Sequence, residues 1–261
     1  MPNFRVNKLS IMPDHIRTLS RTLRTVACLL AAIGLAMVIR RTLVIAGVLS
    51  AGGPGGVVRG SAAGGISAPG GAGGVAAGSG GRAALDAGRA AFDSGFGQHP
   101  VMTMLHILAG AFFLIPGLLQ FWPAMRKNHP LFLRRSEGLF FVAGYVTGFS
   151  ALCLPFIIPP VGGLNESACT TLFSVFFLVC LTRTLQCRKD AVLHREWLIR
   201  VFAIGLAVAT IRPIIGLFFA FSGLPPQVFF GTAFWIGFTL HAIAAEVWIH
   251  YTRMFPADGG G

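Results

Sequence analysis

Five apolar runs, at residues 101–122, 138–160, 168–186, 198–222 and 227–251, follow one another with only short connections between them. This pattern constrains the chain more than any other feature. At 1.5 Å per helical residue each run crosses a hydrocarbon core of about 30 Å. Lipid offers no hydrogen-bond partner to a backbone N–H or C=O, so the runs must satisfy themselves as helices. Composition agrees. The chain is 54% hydrophobic and 11% charged, with a mean hydropathy of +0.71, whereas soluble domains are about 25% charged. Phe is common at 23 and Tyr rare at 2, and Phe carries no polar handle to satisfy in lipid.

A sixth run precedes these. Residues 1–24 carry Arg5, Lys8, Arg17, Arg21 and Arg24 against the single acid Asp14. "TVACLLAAIGLAMVI" follows, is interrupted by Arg40 and Arg41, and resumes as "TLVIAGVLSAGG". Two forms are open: one helix to about Ser50 with the arginines snorkelling, or a short tilted helix ending at Ile39. A cleaved signal peptide and an organelle-targeting segment compete with an uncleaved span, and the uncleaved span is preferred. Residues 51–98 are Gly/Ala/Ser low complexity. Such a stretch cannot offset its backbone entropy by burying side chains, so it is expected to be a linker, with a short helix at 82–92. The expected division is a basic tail and first span (1–50), the linker (51–98), a five-helix membrane domain (99–252) and a short tail (253–261). The fold class is all-α, a polytopic transmembrane bundle of about six spans. Pro116 and Pro213 fall inside spans and are expected to kink them.

Net charge is +12, but the basic residues gather between the apolar runs. The 123–137 and 183–200 connections hold nine Lys and Arg together, namely Arg126, Lys127, Arg134, Arg135, Arg183, Arg188, Lys189, Arg195 and Arg200, while 160–167 and 222–228 hold none. This asymmetry sets orientation: basic connections face the cytoplasm or a matrix-like side, both termini lie with them, and the linker lies outside. A plasma (inner) membrane location is expected, an organelle inner membrane being the alternative. The partner is the lipid bilayer, together with any other membrane subunits. No zinc-finger spacing or basic–aromatic interleaving points to nucleic acid. The five cysteines are odd in number, form no CxxC and sit in or beside apolar runs, so they read as small apolar residues.

Ionisable groups in hydrocarbon cost about 2.5–3.5 kcal/mol each at mid-helix, so they face the bundle interior and find partners. His106 lies about 8 Å below the outer end of its span, and Arg212 near the same level. His194, Arg200, His241 and Glu246 fall towards the inner end, giving two polar layers. His106 is either a core histidine bonded to a backbone carbonyl or a ligand. Arg212 either binds carbonyls freed by Pro213 or holds an anion. Glu246 either pairs with Arg200 or Arg183 or takes part in chemistry. His106, Gly110, Gly117 and Gln120 share a helical face on which another helix, or a flat ligand, can approach the backbone. Gly144 and Gly148 form a GxxxG for helix packing. In "LHREWLIR", Trp197 is a headgroup-level anchor, Arg200 lies at the interface, and His194 and Arg195 are expected to face the inner layer with Glu246. No catalytic motif is present.

"HILAGAFFLIPGLLQFWPAMRKNHPLFLRRSEG" and "LHREWLIRVFAIGLAVATIRP" together resemble a widespread family of predicted multi-pass membrane proteins, a domain of unknown function. The matching positions are His106, Gly110, Gly117, Gln120 and Phe121, then His194, Arg195, Trp197 and Arg200, then Arg212, then Glu246 and Trp248, across roughly residues 99–250. Arg134 stands where the family pattern has His, which removes a candidate ligand. Leu198 stands where it has Met. The resemblance supplies no activity. Three functions therefore compete: a membrane-embedded binding or assembly module; a redox protein resembling b-type cytochromes, with haem b held by His106 and a second histidine; and a proton or small-solute transporter. A haem would need two histidines on different helices at one depth, and His241 lies about 10 Å deeper than His106.

Overall fold

The computed structural model describes residues 14–45, 98–121 and 128–254. Among the described residues the chain is all-α, with helices α1 (Asp14–Ile45), α2 (Pro100–Phe121), α3 (Pro130–Ile157), α4 (Gly163–Gln186), α5 (Ala191–Phe221) and α6 (Pro226–Met254). All six are long and apolar enough to cross a membrane. The expected linker and its short helix at 82–92, and Arg126 and Lys127, lie outside the described residues.

Helix boundaries follow local chemistry. Pro130 and Pro226 open α3 and α6, where a missing N–H costs nothing. Asp190 caps α5: its Oδ1 accepts from the N–H of Val192 and of Leu193, both at 3.0 Å. Gly223 takes a φ of +60° just past α5, a left-handed conformation that suits glycine and stops the helix before Pro225. The helices outrun the apolar runs. α3 begins eight residues before 138, so Arg134 and Arg135 are helical rather than in a loop. α1 continues through Arg40 and Arg41 to Ile45 instead of ending at Ile39. Arginine is a good helix former, and hydropathy locates the hydrocarbon, not the ends of the backbone helix.

α2, α3, α4 and α5 pack in sequence, and α2 touches α5 to close the ring. α6 lies against both α4 and α5, and α1 lies along α2 and α5. Phenylalanines from four helices meet at the centre. Phe113 stacks on Phe140 at 4.6 Å, meets Phe177 edge-on at 5.3 Å and lies 6.3 Å from Phe202. Glycines make room for these rings. A Cβ on Gly117 would sit 2.6 Å from Phe202, and one on Gly205 2.6 Å from Phe113. Of the two alternatives for the α2 face, another helix or a flat ligand, neighbouring helices occupy it at Gly117, through Phe202 and Phe140. Gly144 and Gly148 receive Leu181 and Leu178 of α4, so the GxxxG brings α3 and α4 together.

Outside, Leu105, Phe112, Val142, Leu217 and Val247 are exposed around the bundle. In water so large an apolar surface would drive association; in a bilayer it is the lipid-facing surface. The chain is an integral multi-pass membrane protein. The bundle has a basic end, with the α4–α5 corner and the last turn of α6, and an opposite end with the 158–162 and 222–225 turns.

Candidate functional site

Two ion pairs of the basic end lie between α5 and α6. Glu196 and Arg200 are four apart and share one face of α5. Glu246 and Arg253 are two turns apart on α6. The helices run antiparallel, so the residues cross-pair. Arg200 Nε and Nη2 donate to Glu246 Oε1 and Oε2 at 2.5 and 3.0 Å. Arg253 Nε donates to Glu196 Oε1 at 2.5 Å, and its Nη2 to Glu196 Oε2. Each helix thus contributes one acid and one base to two forked contacts, the geometry in which guanidinium and carboxylate interact most strongly. Burial is divided within each pair. The Glu196 side chain is 6% exposed and Arg253 52%, while Arg200 is 15% exposed and Glu246 46%. The Trp197 ring lies 4.6 Å beneath the Arg200 guanidinium, adding a cation–π contact.

Arg200 and Glu246 therefore come together as the sequence suggests, while Arg183 instead donates to Gln186 Oε1 at 3.2 Å. His194 and Arg195 do not join them. His194 Nδ1 donates to the Thr184 carbonyl at 2.8 Å, satisfying one of the open carbonyls at the end of α4. Arg195 is exposed. The reason is helical periodicity: 196 and 200 face α6, and 194 and 195 point around the helix from them. Glu196 and Arg253 are site residues that the sequence reading missed. The i, i+4 spacing of Glu196 and Arg200 was the available signal.

Deeper in the bundle, His241 Nε2 lies 2.7 Å from Thr210 Oγ1 of α5. His106 Nδ1 lies 2.9 Å from Ser150 Oγ of α3. The Ser150 hydroxyl donates to the Thr147 carbonyl at 3.0 Å, so the histidine Nδ1–H is the donor and Nε2 carries the lone pair. His106 meets the Ser150 hydroxyl and also engages the Thr147 backbone, as the core-histidine alternative expects. The group from α3 that meets it is not a second histidine. α2 packs chiefly on α3 and α6 chiefly on α5, so the two histidines are served by different helix pairs. Gln120 lies in the last turn of α2, and its side chain is outside the described residues.

At the opposite end Glu166, in the first turn of α4, is buried. Its Oε2 accepts the Gly162 N–H at 2.7 Å, and it lies within electrostatic reach of Arg212. Beside it Trp235 Nε1 donates to Asn165 Oδ1 at 2.9 Å. Gly231 allows the contact, since a Cβ there would meet Asn165 at 2.6 Å. Sequence reasoning singled out Arg212 but neither Glu166 nor Asn165, which lie at a span boundary rather than inside one.

Among the described residues, a concavity adjoins the Arg200–Glu246 pair. It lies between α4 and α6 over α5, is lined by Phe176, Ile204, Ala242, Ile243, Val247 and the Arg200–Glu246 pair, and has a volume of about 280 Å³. Ile243 and Val247 are exposed on its rim, so it opens sideways, towards lipid. Its walls are apolar and its polar feature is the ion pair.

Residues 103–249 match the model of a family described as a predicted membrane protein, DUF2306. No curated protein and no solved structure matches the chain.

Proposed function

The chain belongs to the DUF2306 family of predicted membrane proteins, and on that footing we propose that it is a membrane-embedded binding or assembly module whose polar layers fix the helices. One observation carries the reading. Four ionisable side-chain contacts in the spans run across helices: Arg200 with Glu246, Arg253 with Glu196, His106 with Ser150 and His241 with Thr210. A relay would need charged or protonatable groups facing a shared wet path. Here the groups face one another. The charge asymmetry of the connections supports an orientation with the basic end and both termini in the cytoplasm, in a plasma or inner membrane.

The experiment is an absorption spectrum of the purified full-length protein, oxidised and dithionite-reduced. The expected result is no Soret band in stoichiometric amount. A stoichiometric band that disappears in His106→Ala would replace this reading with a redox one.

A further inference from the structure

The basic end carries more positive charge than its own acids neutralise. The acids that α3 to α6 place there are already engaged. Glu137 accepts from Arg188 at 2.9 Å, Glu196 and Glu246 hold Arg253 and Arg200, and Asp190 caps α5. Four cations are left over. Among the described residues Arg135, Lys189 and Arg195 form no ion pair, and Arg183 meets only the neutral Gln186. All four are exposed. They are spread over one side of the bundle, on the first turns of α3, the last turn of α4, the α4–α5 corner and the second turn of α5. The turns at the opposite end, 158–162 and 222–225, hold no charged residue.

Depth and neighbours select the counter-charge. Trp197 lies between Arg195 and Arg200 on α5, and Trp248 stacks with Tyr251 at 6.3 Å on α6. Such rings sit at headgroup level. Arg195 lies about 8 Å beyond Arg200 along α5, which puts its charge among headgroups. Large apolar side chains are exposed beside the same cations. Leu131, one turn before Arg135, is 76% exposed, and Val192, between Lys189 and Arg195, is 63% exposed. Against an acidic soluble protein these side chains would lack apolar cover. At the boundary between headgroups and acyl chains they have it.

We propose that the basic rim of α3, α4 and α5 binds anionic phospholipids, whose phosphates meet Arg135, Arg183, Lys189 and Arg195. The rim stands apart from the cross-helix contacts that carry the binding-module reading, so the two stand or fall separately.

The test titrates the full-length protein in detergent with dioleoylphosphatidylglycerol or dioleoylphosphatidylcholine and counts bound lipid by native mass spectrometry. In about 0.1 M ammonium acetate the anionic lipid should bind at least ten-fold more tightly, and raising the salt to about 0.5 M should narrow the preference. Each cation near a lipid surface is worth about five-fold in affinity. Lys189→Gln with Arg195→Gln should therefore weaken phosphatidylglycerol binding at least ten-fold and leave phosphatidylcholine binding unchanged. Arg135→Gln with Arg183→Gln should do the same from the other side of the rim. Arg82→Gln with Arg89→Gln removes equal charge elsewhere and should change neither. An unchanged helical spectrum and melting temperature show that each variant is folded. Equal affinity for the two lipids, no loss in either rim pair, or the same loss in the 82 and 89 pair would each overturn the proposal. Displacement of the lipid by soluble glycerophosphoglycerol would also overturn it, because the rim would then take a free phosphate ester rather than a membrane lipid.

Discussion

Removing both members of the Arg200–Glu246 pair should cost less than the two single removals added together. The fork consists of two charge-assisted bonds at 2.5 and 3.0 Å. Leaving one member of a buried pair alone costs about 3–5 kcal/mol. Polar contacts between membrane helices couple by about 0.6 kcal/mol on average and 1.7 at most. This pair lies between those limits, since the Arg200 side chain is 15% exposed and that of Glu246 46%. We therefore expect about 2–4 kcal/mol for Arg200→Ala or Glu246→Ala alone, and a coupling of about 2 kcal/mol in the double variant. At about 2–4 °C per kcal/mol for a chain of this size, the double variant should melt about 4–8 °C above the additive value. Thermal unfolding in one detergent, followed by circular dichroism across the four proteins, supplies the cycle. Additivity within about 0.5 kcal/mol would mean no coupling. Glu246 would then be an acid facing a wet cavity, and the pathway reading would lead.

The second fork gives a related test: Arg253→Ala should lower the melting temperature by stranding buried Glu196, and adding Glu196→Gln should recover part of the loss. Gly117→Ala pushes a methyl to within 2.6 Å of Phe202 and should destabilise by about 1–3 kcal/mol. Gly216→Ala meets nothing within 4 Å and should be neutral or stabilising by up to about 1 kcal/mol; equal effects at the two glycines would contradict the packing described. For orientation, with the native cysteines replaced by alanine, Ser79→Cys should react with an impermeant reagent on intact cells while Lys127→Cys is protected. The opposite pattern would invert the topology.

The helices were legible because hydrocarbon thickness and backbone satisfaction leave almost no choice of structure once an apolar run is long enough. The Arg200–Glu246 contact was legible for a similar reason: two opposite charges at similar depth in adjacent spans each need a partner. The other fork was not. Arg253 lies past the apolar run, where a basic residue reads as an orientation signal, and Glu196 reads as part of a surface motif. Nor did helical spacing reveal that Gly117 would be filled by Phe202, because the ring comes from another helix. His194 shows the converse. Its place in a conspicuous polar stretch suggested shared chemistry, whereas it satisfies a helix-end carbonyl ten residues away. Residue type and depth locate the polar layers, but which neighbour each residue meets depends on helix rotation, which a single sequence carries weakly.

Polar groups that lock helices to one another leave no path for protons or solutes. Proton flux into proteoliposomes, driven by a potassium-diffusion potential and followed with an internal pH dye, tests it most directly. Wild type and Glu246→Gln should both match protein-free liposomes. A protein-dependent flux in wild type that falls at least ten-fold in Glu246→Gln would contradict the claim.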